Sequence, residues 1–437
     1  MEETISSNAE NTVKEVKVIP HGVLWPFILL TSLFAWWGLA NNMTDTLLAA
    51  FKKIMSMNDF QTSWIQLAFY GSYFCLALPA AMFIKRFSYK AGVLLGLGLF
   101  IIGGLLFYPA SHTMNYYHFL IALYILAGGC SILETSTNPY VIAIGPEQTG
   151  TRRLNFSQSF NPIGSISGVI ISQLFILSHL NKASAADRAL MTSEQLKHVQ
   201  SQELSAVMGP YFTVAIILAI LWILIAVTKM PKASDEDKNL NLLPTFKRLL
   251  KNRHYVWGVT AQFFYVGAQI GVWSFTIRYV MKELNLDEQN AATYYTISLV
   301  FFTVFRFLCT GLMKFIKPRD LLAILAGAAM ICTTIVIFAG GYVGVYALIG
   351  ISACMSLMFP TIFGLGIRGL GGDTKIGGSG LIMAILGGAL LTALQGYVSD
   401  STGNINMAYF VPLGCFLFIL YYGLVASKKD LKTANGN

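Results

Sequence analysis

The chain has 437 residues, of which 55% are hydrophobic and 12% charged, with a formal net charge of +9. So apolar a composition excludes a soluble globular protein, and so long a chain excludes a single membrane span. The positive charge does not mark a nucleic-acid partner, because the basic residues are scattered over short segments beside apolar runs rather than gathered on one polar domain.

In chain order, the apolar segments lie at about 23–50, 61–84, 89–109, 116–144, 154–178, 209–228, 255–280, 291–314, 319–339, 342–366, 376–399 and 405–427. At roughly 20 residues per crossing, they predict an all-α membrane protein with twelve transmembrane helices. The tail 1–22 lacks the compact basic and apolar layout of a cleaved signal peptide, so the first span serves as its own insertion signal.

One face carries Lys85, Arg86, Lys90, Arg152, Arg153, the stretch 229–254, Lys314, Lys317, Arg319, Arg368 and Lys375; the other has Lys52, Lys53, Lys182, Arg188, Lys197 and Lys282. The positive-inside rule puts both termini in the cytoplasm of a multi-pass plasma-membrane protein, expected in a bacterial inner membrane.

Two connections are longer than the rest. Residues 179–208 are polar and are expected to form an outer loop with a short helix. Residues 229–254, with Asp235-Glu236-Asp237 and the Lys247-Arg248-Leu249-Leu250-Lys251 cluster, read as a cytoplasmic linker between six-span halves at 23–228 and 255–427, with a tail at 428–437. A weak repeat agrees: Pro139 stands eleven residues before Gly150 in the fourth span, and Pro360 eleven before Gly371 in the tenth. Parallel six-span halves with a site between them near the midplane are the plan of major facilitator transporters.

Of the 21 acidic residues, Asp45 and Glu134 alone fall well inside a span. Ionising an acid at the bilayer centre costs about 2.5–3.5 kcal/mol even on lenient scales, so such a residue usually faces an internal cavity or carries protons. The competing reading is a neutral acid that packs helices together. Glu134 also precedes an Asn138-Pro139 break. The six cysteines lie within spans without metal-ligand spacing or a disulfide pattern and read as packing residues; no metal or cofactor is expected.

Several runs are recognisable: Ala40-Asn41-Asn42-Met43-Thr44-Asp45, Ser88-Tyr89-Lys90-Ala91-Gly92, Leu133-Glu134-Thr135-Ser136-Thr137-Asn138-Pro139, Arg153 to Asn161, Ala261 to Gln269 and Pro360-Thr361-Ile362-Phe363. From about residue 20 to 427 the chain resembles the L-fucose:proton symporter family of the major facilitator superfamily. The resemblance implies transport of L-fucose with a proton, with Asp45 and Glu134 as the protonatable pair; separately, the chain is expected to be monomeric. Sister glucose/galactose permeases are expected to carry an amide in place of Glu134. One departure stands out: where the fucose family has a tyrosine before Pro360, this chain has Phe359. The usual aspartate of the superfamily signature is also absent from Ala80-Ala81-Met82-Phe83-Ile84-Lys85-Arg86.

A sugar needs amide-type partners for its hydroxyls and a flat aromatic for its apolar face. Candidates are Asn42, Asn138, Gln158 and Asn161, Gln262 and Gln269 seven apart on one span, and Trp37 and Trp273 as stacking platforms. Each has a plainer reading: an interfacial tryptophan, an interhelical hydrogen bond of about 0.6 kcal/mol, or, for Asn138, a partner for backbone freed by Pro139. At about 1.5 Å per residue, Asp45 lies roughly 33 Å along its span, near the outer face, and Glu134 about 15 Å from its inner end. Asp45 is therefore expected to exchange protons with the outside and Glu134 to couple protonation to sugar binding. Arg306 is expected to pair with a carbonyl or snorkel inward, not to bind substrate.

Three rival classes remain open. A channel is disfavoured because sparse central acids suit alternating access better than a charged pore. An enzyme is disfavoured because no histidine lies near a membrane acid in sequence. A sugar sensor that does not transport is the third.

Overall fold

The computed structural model describes residues 18–20, 22–54, 59–113, 115–176, 188, 190–231 and 242–426; within these, the side chains of residues 41, 44–54, 59–67, 173, 176 and 204–207 lie outside the description. The Asp45 side chain, the Asp235-Glu236-Asp237 run and the residues 1–17 and 427–437 are among those outside it.

The first part of the chain folds into α1 (Leu24–Ile54), α2 (Asp59–Arg86), α3 (Tyr89–Thr113), α4 (Tyr116–Ala143), α5 (Gly150–Gln158), α6 (Phe160–Ile171) and α7 (Ser193–Val227). A short amphipathic helix, α8 (Leu242–Lys251), connects it to α9 (Arg253–Leu284), α10 (Glu288–Leu312), α11 (Pro318–Phe338), α12 (Gly341–Met355), α13 (Met358–Gly366), α14 (Thr374–Met383), α15 (Gly387–Thr402) and α16 (Phe410–Tyr421). Local chemistry sets many of the starts. Asn115, Asn252 and Asp287 cap α4, α9 and α10 through their side-chain oxygens, and Pro318 opens α11.

The sixth crossing begins well before its apolar run. Thr192 and Gln195 form a reciprocal capping box, with bonds of 3.1 and 3.3 Å, that starts α7 at Ser193. The expected loop over 179–208 is therefore helical from Ser193 onward.

Among the described residues, nine helices are long and apolar enough to cross a membrane. Three more crossings, α1, the broken pair α5–α6, and α9, complete the set of twelve. Polar residues lower the hydropathy of two of them: α5–α6 carries Asn155, Gln158 and Asn161, and α9 carries Gln262 and Gln269. Less apolar helices are tolerated where they line an internal cavity.

The packing repeats with an offset of six crossings. In the first half α1 packs on α6, α2 on α4, and α3 on α4 and α7; in the second, α9 packs on α15, α10 on α12, and α11 on α12 and α16. The α1–α6 contact is the tightest kind. A Cβ on Gly164 would strike the Ala35 carbonyl, and one on Gly38 the Asn161 carbonyl. With Gly168 placed four residues after Gly164, this is the small-residue spacing that lets membrane helices touch backbone to backbone.

At the end bearing Lys85, Arg86 and Lys375, here the basic end, the halves are joined. Asn155 Nδ2 donates to Thr361 Oγ1 at 3.2 Å, the Gly369 N–H donates to Glu147 Oε1 at 3.2 Å, and the Lys375 ammonium lies 5.3 Å from the Tyr89 ring centre. Helix α8 wedges in beside them. Its Leu249 packs with Ala81 of α2, Tyr255 of α9 and Ile376 of α14, and its Arg248 grips Asp373 through two bonds of 2.7 and 2.8 Å.

Candidate functional site: a cavity between the halves

Above the joined basic end lies a cavity of about 230 Å³ between the two halves. That is below the roughly 300–1,000 Å³ usual for drug-sized ligands, and suits one small ring. Its walls differ in chemistry. The first half contributes Glu134, Asn42, Gln158, Asn161 and Ser165 beside Trp37, Phe69, Tyr70 and Tyr73; the second contributes Trp273, Phe302 and Phe359, with Gln269, Tyr295 and Arg306 as its polar points.

Glu134 is 3% exposed on α4, a helix buried along most of its length. Its carboxyl faces the Tyr73 phenol of α2. Its Oε2 has no partner among the described residues, and neither does Trp37 Nε1 on the adjoining wall. No ion pair involves Glu134 among the described residues. A buried carboxyl in that situation is sensitive to whatever enters the cavity, because an unmade hydrogen bond to a buried acceptor costs about 1–3 kcal/mol, and more if the group is charged.

Around it the amides are oriented. Gln158 Nε2 donates to Asn138 Oδ1 at 2.9 Å, Asn161 Nδ2 donates to the Phe34 carbonyl at 3.3 Å, and Asn42 Nδ2 to the Gly38 carbonyl at 3.3 Å. On the facing wall, Trp273 Nε1 donates to Ser352 Oγ at 3.3 Å while its ring meets Phe302 edge-on at 5.0 Å. The indole is thereby held as a platform.

Trp37, Asn42, Glu134, Gln158, Asn161, Gln269, Trp273 and Phe359 thus meet on one cavity, although Gln158 and Asn161 are separated by the helix break at Ser159. The structure does not bring Asn138 and Gln262 to the wall. Asn138 is fully buried behind Gln158, the side chain of which lies over it. Gln262 is sealed in α9 two turns nearer the basic end than Gln269, below the cavity, and neither of its amide atoms has a partner among the described residues. Asp45 lies on α1 beyond Asn42, with its side chain outside the description.

Tyr73, Ser165, Tyr295 and Phe302 also line the cavity without having been singled out in the sequence. Nothing local marks Tyr73; only the α2–α4 contact brings it to Glu134. Arg306 does pair with a carbonyl, as its position suggested, but it does not snorkel: it is 3% exposed and forms part of the cavity floor.

A twelve-crossing helical protein with a polar-and-aromatic cavity between packed repeats is a membrane transporter in architecture. The Major Facilitator Superfamily model matches residues 27–373, and the chain belongs to that superfamily. It is 39% identical over 423 residues to the L-fucose-proton symporter of Haemophilus influenzae, covering 94% of this chain and 99% of that protein. It is 41% identical over 408 residues to the L-fucose-proton symporter of Escherichia coli, covering 92% and 93%. It also superposes with a TM-score of 0.87 on the crystal structure of the major facilitator transporter FucP in the outward conformation, at 41% identity over 93% of this chain and 99% of that one.

Proposed function

We propose that this protein carries one monosaccharide, L-fucose, inward with a proton by alternating access, with Glu134 as the group that links proton to sugar. The observation that carries the reading is the buried Glu134 carboxyl on the cavity wall, facing Tyr73 and with Oε2 unpartnered among the described residues, beside the amides of Gln158 and Asn161. The names of the relatives point the same way. Trp273 and Trp37 stack on the sugar, while Asn42, Gln158, Asn161 and Gln269 take its hydroxyls. Asp45 exchanges protons with the outer medium.

The joined basic end supports a carrier open away from that end. With the basic residues inside, the halves 23–228 and 255–427 rock about the cavity as a monomer in the inner membrane, and both termini lie in the cytoplasm.

The test is the external pH of lightly buffered, de-energised cells on addition of L-fucose, with D-galactose and D-glucose alongside. Alkalinisation with L-fucose alone is the expected result. Saturable counterflow with no proton signal from any sugar would leave a facilitator and remove the symport reading. A response to galactose or glucose and not to fucose would move the chain to the sister branch of permeases.

A further inference from the structure

Two prolines break helices on opposite sides of the cavity floor. Pro162, at the start of α6, leaves the Gln158 carbonyl without its usual donor four residues on, and Pro360 in α13 does the same to the Ser356 carbonyl. In a membrane such carbonyls need another donor. A single side chain supplies both. Arg306 of α10 donates from Nε to the Ser356 carbonyl, and from Nη1 to the Gln158 carbonyl at 3.0 Å. Its guanidinium lies over the Phe302 ring, 4.6 Å from the centroid.

The two acceptors belong to different halves. Ser356 sits in the same half as Arg306, so rocking as rigid bodies leaves that bond intact. Gln158 sits across the divide, and its bond must break when the floor opens. Gln158 is also the residue whose side chain lines the cavity and holds Asn138.

We propose that Arg306 is the positioning residue that ties the cavity floor shut, holding the Gln158 backbone through the carbonyl that Pro162 exposes and releasing it as the halves rock. The planar fork is needed because its Nε and Nη1 reach two carbonyls at once; a lysine ammonium on a flexible stem does not reproduce that spacing. This inference rests on alternating access, but not on the identity of the sugar.

The experiment measures labelling of a cysteine by a water-soluble maleimide in purified protein without sugar, in a background where the six native cysteines are replaced. The reporter is Thr151→Cys, a position 9% exposed whose side chain lies against Gly364 of the other half in the closed floor; Ser131→Cys, buried within one half, is the control. Arg306→Met is expected to speed labelling of the reporter about tenfold, the effect of losing one charge-assisted bond across the halves, and to leave the control unlabelled. Arg306→Lys, which keeps the charge and one donor, should fall between the two and serves alone if Arg306→Met does not fold. Unchanged reporter labelling in both variants overturns the proposal. So does faster labelling of reporter and control together, which marks a loosened fold rather than an opened floor. Since no sugar is present, failure of L-fucose transport in the parent would remove the substrate reading and leave this result standing.

Discussion

Glu134→Gln separates proton coupling from sugar binding. The replacement keeps the shape of the side chain but removes the one carboxyl on the described cavity wall. If sugar binding brings a hydroxyl to the unpartnered Oε2, exchanging a charged acceptor worth about 1.5–3 kcal/mol for a neutral partner worth about 0.5–1.5 weakens binding by roughly 1–1.5 kcal/mol, or about 5- to 13-fold in Kd. Accumulation changes far more. One proton moving down 100 mV contributes about 2.3 kcal/mol, enough for roughly 50-fold accumulation, and the variant should fall to a ratio of about 1. The assay is proteoliposomes with an imposed potential, following radiolabelled L-fucose uptake beside sugar counterflow. Counterflow within about tenfold of the parent together with abolished uphill uptake is the expected pair of results. Uphill uptake that survives Glu134→Gln would falsify the assignment of coupling to this carboxyl.

Three other substitutions test neighbouring parts of the argument. Gly164→Ala forces a methyl against the Ala35 carbonyl and should cost about 1–3 kcal/mol of stability by overpacking, read by thermal unfolding in detergent; Gly209→Ala, with nothing within 4 Å, is the control that should not. Thr361→Val removes the hydroxyl that accepts from Asn155 across the halves, and the loss of about 1 kcal/mol should shift the floor about fivefold toward opening, seen as altered distances between spin labels at the basic end. Phe359→Tyr puts a hydroxyl on the cavity wall and should tighten L-fucose binding about 2- to 12-fold, the span of one neutral hydrogen bond; equal affinity in both forms would show that the position does not face sugar.

What could be read from the sequence followed from its local character. A lone acid in an apolar span and a pair of tryptophans carry their meaning without neighbours, and so did the twelve apolar runs. The start of α7 was also written locally, in Thr192-x-x-Gln195, but its first turns are polar enough to resemble a loop. Gln262 shows the limit of periodicity: seven residues from Gln269 it shares a helix face, yet the cavity ends above it. Tyr73 and the second tie of Arg306 were beyond reach for a different reason. Their partners are remote along the chain, Gln158 being separated from Arg306 by 148 positions, and no local pattern records which helices touch.

The unlike chemistry of the two walls bears on how coupling arises. The acid and most of the amides lie on the first half, while both halves carry aromatics, Trp37, Phe69, Tyr70 and Tyr73 on the first and Trp273, Tyr295, Phe302 and Phe359 on the second. A sugar ring held between the halves touches both walls, and closure over it gains contacts that closure over water does not. Oε2 of Glu134 is already buried without a partner among the described residues, so the empty carrier with a charged carboxylate bears a desolvation cost. On the proposed assignment of Glu134, protonation relieves that cost by removing the charge, and a sugar hydroxyl relieves it by donating to the oxygen. The carrier then crosses readily when both are bound, and needs no direct contact between proton and sugar beyond that single oxygen.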